Sequence, residues 1–422
     1  MDMFYKIVTN IFGSGAVILG LVTLFGNIFL KKKGSDVLLS TIRSMMGFAL
    51  IDGGSAILCA AIAPLTQCIF EGLNTKGVLQ QMFPAYTACT AAYSGKIEIV
   101  FLLAMGVNAL LVRFTKFKGF ALTVHLQLFV AATFITFLSL TGLSPVVIIA
   151  ISAVCAGIYN WAAVSISHYY MVKTDMTDEF GLFVFDNWGM VLADGISRIL
   201  GKSKDAEDIE FPKALMWMKD TFAAITVTML LAYLLFGMIA GVDFVQSLAG
   251  SQFWWLYLIL EAISFSAGLA IILYGVKMFV AEIIPAFMGF TEKFLPDAVV
   301  GLDYPVVFQY APTSLMFGFI ANLFGSVLAC ILMGVLNFPV LVIPGIQGQF
   351  FLGAIVGIFG NRMGGIKTCV VSAFLYGFIT LFLISFMAPS SGVLFDAGAF
   401  YESAENPMIA FLLQKVFLAL GL

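Results

Sequence analysis

Long apolar runs separated by short polar connections make up most of the chain. A helix that crosses the hydrocarbon core of a membrane needs about 20 mostly apolar residues, and eleven runs approach that length. The pattern therefore predicts an all-α polytopic membrane protein with about eleven transmembrane helices. The predicted spans are 11–30, 45–63, 97–112, 121–140, 145–163, 222–240, 254–276, 314–335, 340–359, 368–387 and 407–422.

Two further apolar stretches, 78–95 and 180–200, are too short or too interrupted to cross a membrane. Irregular backbone is tolerated at membrane depth only where protein or water surrounds it. We therefore interpret both stretches as re-entrant or interfacial hairpins.

Composition supports a membrane protein and argues against other classes. Hydrophobic residues make up 61% of the chain and charged residues 11%, whereas soluble domains carry roughly 25% charged residues. Most of the surface must therefore face lipid. The net charge of −3 is spread out, with no basic stripe for nucleic acid. The six cysteines are scattered without redox or metal-ligand spacing, so no cofactor or metal is expected.

Lysine and arginine in the connections set the predicted orientation. Basic residues follow the first span at Lys31–Lys33 and recur in later connections, whereas 141–144, 241–253 and 388–406 contain none. This alternation predicts an N-terminus outside and a C-terminus in the cytoplasm. Only Lys6 precedes the first apolar run, and no small-residue cleavage site follows it, which indicates a retained span.

The longest polar insert, 164–221, lies on the predicted cytoplasmic side and contains the charged run 202–208. Its simplest interpretation is a solvated loop, and the alternative is a docking surface for a cytoplasmic partner. No stretch is long and polar enough to form a separate soluble domain.

The chain aligns with itself at an offset of 221 residues, which places 47–71 on 268–292 without gaps. In the predicted topology the first copy runs outward and the second inward. Inverted halves are typical of transporters that alternate access around a site near the midplane. The identical pairs are Gly47/Gly268, Ala49/Ala270, Ile51/Ile272, Gly54/Gly275, Ala60/Ala281, Ile62/Ile283, Pro64/Pro285 and Glu71/Glu292.

We therefore predict one membrane domain, with a first half at 1–221, an inverted second half at 222–406 and a C-terminal helix at 407–422. The broken segments 78–90 and 299–313 should approach each other near the pseudo-two-fold axis.

Polar groups in the apolar regions are the candidate site residues, because they are costly at membrane depth unless they are paired or hydrated. Asp303 precedes Tyr304-Pro305, and Gln309 and Pro312 follow. The prolines break any helix here and free backbone groups for a polar ligand. A carboxylate at this break suits sugar hydroxyls and can take the proton from a hydroxyl that is being phosphorylated. The alternative is that Asp303 only caps a helix.

Further candidates are His125 at the cytoplasmic start of the fourth span and Asp186-Asn187 in the second hairpin. Each has a structural alternative, a hydrogen bond to a neighbouring helix for His125 and a hairpin-tip turn for the other pair. Gln127 points to a different helix face from His125. Gln347 lies in a glycine-rich break that is an outer turn or a gate. Weaker candidates are Gln81 and Phe83 in the first broken segment, Asp52 and Glu261.

The segment 274–282, followed by Leu302-Asp303 and Tyr310-Ala311-Pro312, resembles the ascorbate-type membrane component (IIC) of the bacterial phosphotransferase system. The resemblance extends from the first span to about residue 386. Segments that fit the same family in order include Thr41-Ile42-Arg43, Leu122-Thr123-Val124-His125, Leu200-Gly201-Lys202, Ile343-Pro344-Gly345 and Met363-Gly364-Gly365.

This resemblance implies a homodimer in the bacterial cytoplasmic (inner) membrane, surrounded by lipid. Each protomer would have a dimerising scaffold and a mobile core that carries the substrate in an elevator-like movement. The family's substrate-site Asp and His match Asp303 and His125. The phosphoryl group would come from a cysteine on a separate IIB protein, itself charged by a IIA protein. The chain is part of an enzyme only if its transport is coupled to phosphorylation by this separate IIB protein.

The chain also departs from the ascorbate members. Phe129 stands where they carry a glutamine, Asp186-Asn187 where they carry a His-Gln pair, and Phe83 where they carry a tyrosine. Loss of a buried hydrogen-bonding partner can change selectivity by orders of magnitude. The expected substrate is therefore a small sugar, a sugar acid such as ascorbate, or a polyol. A secondary carrier without phosphoryl coupling and a membrane receptor on the same scaffold are the alternatives.

Overall fold

The structure is a computed structural model that describes residues 15–73, 77–209, 220–338 and 340–422. The start of the first predicted span and residues 210–219 of the cytoplasmic insert lie outside the described residues. The described helices are α1 (Gly15–Phe29), α2 (Gly34–Leu73), α3 (Met82–Phe114), α4 (Val124–Leu138), α5 (Pro145–Lys173), α6 (Asn187–Leu200), α7 (Thr221–Ala240), α8 (Val242–Ala249), α9 (Trp254–Phe294), α10 (Pro312–Val335), α11 (Ile346–Gly364), α12 (Ile366–Met387), α13 (Val393–Asp396) and α14 (Glu405–Ala419).

Seven helices within the described residues are long and apolar enough to cross a membrane. They are α2, the second part of α3, α5, α7, α9, α10 and α12, and α1 and α4 are shorter apolar helices. The chain is therefore a multi-pass, mainly helical membrane protein. The predicted spans 340–359 and 407–422 correspond to α11 and α14, which are not among the seven.

Two helices continue well beyond their predicted spans. The predicted span 45–63 is part of α2, which has 40 residues, and 254–276 is part of α9, which has 41 residues. Both helices continue through an internal proline, Pro64 in α2 and Pro285 in α9. Proline is tolerated in membrane helices because neighbouring groups satisfy the freed backbone carbonyls.

Within the described residues, six short parallel strands interrupt the helical architecture, and the pattern of apolar runs did not predict them. They are β1 (Val78–Gln80), β2 (Gly119–Ala121), β3 (Phe180–Leu182), β4 (Val299–Leu302), β5 (Val342–Ile343) and β6 (Ala399–Phe400). One sheet has the order β5-β1-β6 and the other β2-β4-β3. The strands supply backbone hydrogen bonds where the chain leaves helical geometry inside an apolar environment.

The pairing exchanges strands between the two parts of the chain. Strand β1 pairs with β5 and β6, aligning Val78 with Val342 and Leu79 with Ala399. Strand β4 pairs with β2 and β3, aligning Val299 with Gly119 and Leu302 with Leu182. Each central strand therefore comes from one part of the chain and its neighbours from the other.

Helices α2 and α9 cross at glycines that let their backbones approach closely. A Cβ at Gly54 would lie 2.8 Å from the carbonyl oxygen of Gly268, and one at Gly275 would lie 2.7 Å from that of Gly47. The order of these contacts shows that the two helices run antiparallel. Small residues at such crossings are typical of membrane helices, whose association depends on close packing.

Candidate functional site

A cavity of about 790 Å³ lies between α2 and the segments that surround the two small sheets. Its polar lining includes Asp52 of α2, His125 of α4, Asp303 and Tyr304 after β4, Gln347 of α11, and Glu402 after β6. The volume falls within the roughly 300–1,000 Å³ that small-molecule sites usually have. The segment after β4 is thus part of the cavity wall.

His125 and Asp303 form the central polar pair of the cavity. Nε2 of His125 lies 3.3 Å from Oδ2 of Asp303. The pairing of β2 with β4, which aligns Ala121 with Gly301, brings the two segments together. Oδ1 of Asp303 accepts a hydrogen bond of 2.7 Å from the Tyr304 amide, at the start of a 3-10 helix that spans Tyr304–Tyr310. Asp303 therefore caps this helix and faces the cavity at once, so its two interpretations are compatible.

Asp303 and His125 are both accessible enough to meet a ligand. Their side chains are 23% and 45% exposed, respectively. Asp303 lies in a connection outside the seven long apolar helices. Burial raises the pKa of its carboxyl, while His125 and the hydrogen bond from Tyr304 lower it in part. A raised pKa makes the carboxylate a better proton acceptor than an exposed aspartate.

An aromatic wall lies beside this pair. The ring of Phe129 contacts Phe83 edge-on at 6.0 Å, Tyr86 at 4.9 Å and His125 at 5.8 Å between ring centroids. Phe83 is 58% exposed, whereas Phe129 is buried. Phe83 and Phe129 thus make this face of the cavity apolar.

The other predicted glutamines have different placements. Gln347 lines the cavity, whereas Gln309 and Gln81 are not among its lining residues. The Gln309 amide donates to the Val306 carbonyl at 3.2 Å, within its own 3-10 helix. Gln127 is buried and donates to the Ala121 carbonyl, consistent with its different helix face.

Asp186 and Asn187 lie behind the cavity wall and not on it. Oδ1 of Asp186 accepts a 2.5 Å hydrogen bond from the Tyr376 hydroxyl. The Asn187 amide donates to the Glu405 carboxylate at 2.8 Å, and the Tyr159 hydroxyl donates to it at 3.0 Å. This buried network contacts the cavity through Phe185 and Tyr304, since the Phe185 amide donates to the Tyr304 hydroxyl and both residues line the cavity.

Glu402 is a lining residue that the sequence analysis missed. It lies in the connection 388–406, which was predicted to be an outer loop. This connection contains β6, which pairs with β1, and Glu402 lies two residues after the end of β6. Burial raises the pKa of the Glu402 carboxyl to about 7, and a hydrogen bond from the Met82 amide acts in the opposite direction. No local motif in the sequence marks this residue.

Comparison with known proteins assigns the chain to a family. Residues 10–404 match the family described as the PTS system sugar-specific permease component. The chain belongs to this family. A curated relative is the ascorbate-specific PTS system EIIC component of Mycoplasma pneumoniae, which is 25% identical over 96% of this chain and 70% of the relative.

Membership makes the chain a phosphotransferase-system sugar permease component. The family implies a sugar substrate and partner IIA and IIB components. The match spans α1 to the end of β6, so it includes both strand exchanges and all the cavity segments. The resemblance stated from the sequence is thereby confirmed.

Proposed function

We propose that this permease component binds its substrate at the His125–Asp303 pair and delivers it for phosphorylation by a separate IIB protein. The observation that carries the proposal is the 3.3 Å contact of these two side chains inside a cavity of about 790 Å³. The substrate class is a small sugar, a sugar acid such as ascorbate, or a polyol, whose hydroxyls fit carboxylate, imidazole and carboxamide partners.

Asp303 acts as the general base in the proposed transfer. A substrate hydroxyl oxygen attacks the phosphorus held on the IIB cysteine, the P–S bond breaks and the thiolate leaves. The hydroxyl proton passes to Asp303. His125, whose Nε2 lies 3.3 Å from Oδ2 of Asp303, holds the carboxylate in position at the cavity.

An inverted repeat with an elevator-like movement accounts for the exchanged strands. Strands β1 and β4, which the offset of 221 residues relates, are each the central strand of a parallel sheet. The repeat partners Gly54 and Gly275 take part in equivalent contacts, with Gly268 and Gly47. In this proposal α2 and α9 belong to the scaffold and the strand-bearing segments to the core. The cavity between them, with Asp52 on one side and Asp303 on the other, suits a core that moves past a scaffold.

The proposed assembly is a homodimer in the cytoplasmic (inner) membrane of a bacterium, with eleven crossings, the N-terminus outside and the C-terminus inside. The Lys/Arg distribution supports the orientation.

In a variant without the native cysteines, Ser251→Cys should react with a membrane-impermeant maleimide in intact cells. Ser35→Cys, which is exposed next to Lys31–Lys33, should react only after permeabilisation. The reverse labelling would contradict the orientation.

The function is tested by uptake into vesicles that contain phosphoenolpyruvate and the general phosphotransferase proteins, with and without the IIA and IIB partners. We expect accumulation of phosphorylated substrate only when the partners are present. Accumulation of unmodified substrate without them would instead indicate a secondary carrier. Binding without flux would indicate a receptor.

A further inference from the structure

We infer that Glu402 is a substrate-binding residue, and that with Asp303 it selects a neutral polyhydroxy compound over an anionic sugar acid. This inference rests on the proposed function, because it concerns the same cavity. It goes beyond that function in naming a residue and a charge class. The observations that carry it are the charges of the lining, the geometry of Glu402 and the balance of donors and acceptors.

The charges that face the cavity are mainly negative. Asp52, Asp303 and Glu402 line it, and no lysine or arginine is among the lining residues within the described parts of the chain. His125 is the one basic side chain among them, and it is already paired with Asp303. An anionic ligand would enter a site with excess negative charge and without a guanidinium or ammonium partner, which is unfavourable at low dielectric.

Glu402 has acceptor capacity left for a ligand. The residue is 7% exposed, and its Oε1 has no hydrogen-bond partner among the described residues. The Cβ and Cγ atoms of Glu402 pack against Gly348 in the first turn of α11. A Cβ added at Gly348 would lie 2.9 Å from the Glu402 Cβ and 2.8 Å from its Cγ. Rotation about the terminal side-chain torsion, which is broad in glutamate, turns Oε1 to a ligand hydroxyl without moving this stem.

Helix N-termini are often anion sites, but carboxylates of the chain itself already occupy two of those at the cavity. Asp303 accepts a hydrogen bond from the Tyr304 amide at the start of the 3-10 helix, and Glu402 accepts one from the Met82 amide at the start of α3. Two further helix N-termini at the cavity present His125 of α4 and Gln347 of α11.

The balance of hydrogen-bond donors and acceptors in the cavity also favours a neutral polyhydroxy compound. Carboxylate oxygens only accept hydrogen bonds, whereas each hydroxyl both donates and accepts. With a pKa of about 7, Glu402 matches a hydroxyl in either protonation state, but matches an anionic oxygen only when protonated. The other titratable side chains that line the cavity are Asp52, Cys59, His125, Asp303 and Tyr304.

The test measures phosphoenolpyruvate-dependent uptake of compound pairs in which one terminal carbon is a hydroxymethyl group in the neutral member and a carboxylate in the acid. These are D-glucitol with D-gluconate and D-arabitol with D-arabinonate, with L-ascorbate added, all with partner proteins present and at a pH about one unit above the pKa of Glu402. We expect the neutral member of the best pair to be preferred at least about tenfold in kcat/KM. Faster coupled uptake of an acid would overturn the inference and leave the proposed function intact.

Glu402→Gln should reduce this preference about tenfold, because it removes the charge and keeps the shape. The matched control is Glu261→Gln, a partly buried carboxyl of α9 that does not line the cavity, and it should leave the preference unchanged. An unchanged preference in Glu402→Gln would overturn the role of Glu402. The ranking of compounds by the unmodified chain needs no variant, so it tests the charge class even if Glu402→Gln folds poorly.

Discussion

Replacing Asp303 by asparagine should lower phosphorylation-coupled uptake by about 10²–10⁴-fold, the usual contribution of a general base. Asparagine keeps the size of the side chain and a carbonyl oxygen that can accept from the Tyr304 amide, so the 3-10 helix stays capped. It cannot accept the hydroxyl proton. The defect should therefore fall mainly on kcat, measured as phosphorylated product formed with purified phospho-IIB, and less on substrate binding.

Two variants separate this role from a general loss of structure. Asp243→Asn changes an exposed aspartate of α8 that does not line the cavity, and it should leave uptake unchanged. His125→Gln removes the imidazole 3.3 Å from Asp303 and should cost less than Asp303→Asn, because the base itself remains. Phosphorylation by Asp303→Asn at a rate close to that of the unmodified chain would exclude Asp303 as the base.

Local sequence signals were enough to find the centre of the candidate site. Asp303 stands at a break marked by two prolines, and His125 is one of only two histidines in the chain. Both residues lie in segments where the chain enters or leaves a helix, and backbone polar groups are free there to bind other groups. Their positions in the sequence therefore already indicated a cavity, although not their contact.

Other parts of the site depend on contacts between distant segments. Glu402 reaches the cavity because β6 pairs with β1. Asp186 lies away from the cavity because its Oδ1 accepts a hydrogen bond from the Tyr376 hydroxyl of α12. Strands of two to four residues leave no periodic pattern from which such pairing can be predicted. The same limit explains the missed sheets.

Helix ends were the least predictable feature of the fold. The predicted spans ended at residues 63 and 276, before Pro64 and Pro285. The structure continues α2 and α9 through both. Because the prolines occupy equivalent positions in the self-alignment, their shared tolerance is itself an observation in favour of related halves.

Substitution of alanine for Gly268 should destabilise the protein by about 1–3 kcal/mol, as overpacking usually does. The new Cβ would lie 2.9 Å from both the Gly54 carbonyl oxygen and the Leu58 amide nitrogen, so the α2–α9 crossing would have to widen. Gly54→Ala faces the Gly268 carbonyl oxygen at 2.8 Å and should have a similar effect. The measurement is the temperature at which detergent-purified protein loses its monodisperse elution peak.

Gly106→Ala provides the matched control, because a Cβ at this exposed position of α3 meets no atom within 4 Å. It should stabilise the helix by about 0.5–1 kcal/mol, since alanine loses less conformational freedom than glycine. If Gly106→Ala stabilises the protein and Gly268→Ala destabilises it, backbone contact and not helix propensity determines the loss of stability at Gly268. The double variant Gly54→Ala/Gly268→Ala should lose less than the sum of the single losses, because one separation of the helices relieves both contacts. Full additivity would mean that the two glycines do not share a crossing, and the antiparallel α2–α9 contact would lose its support.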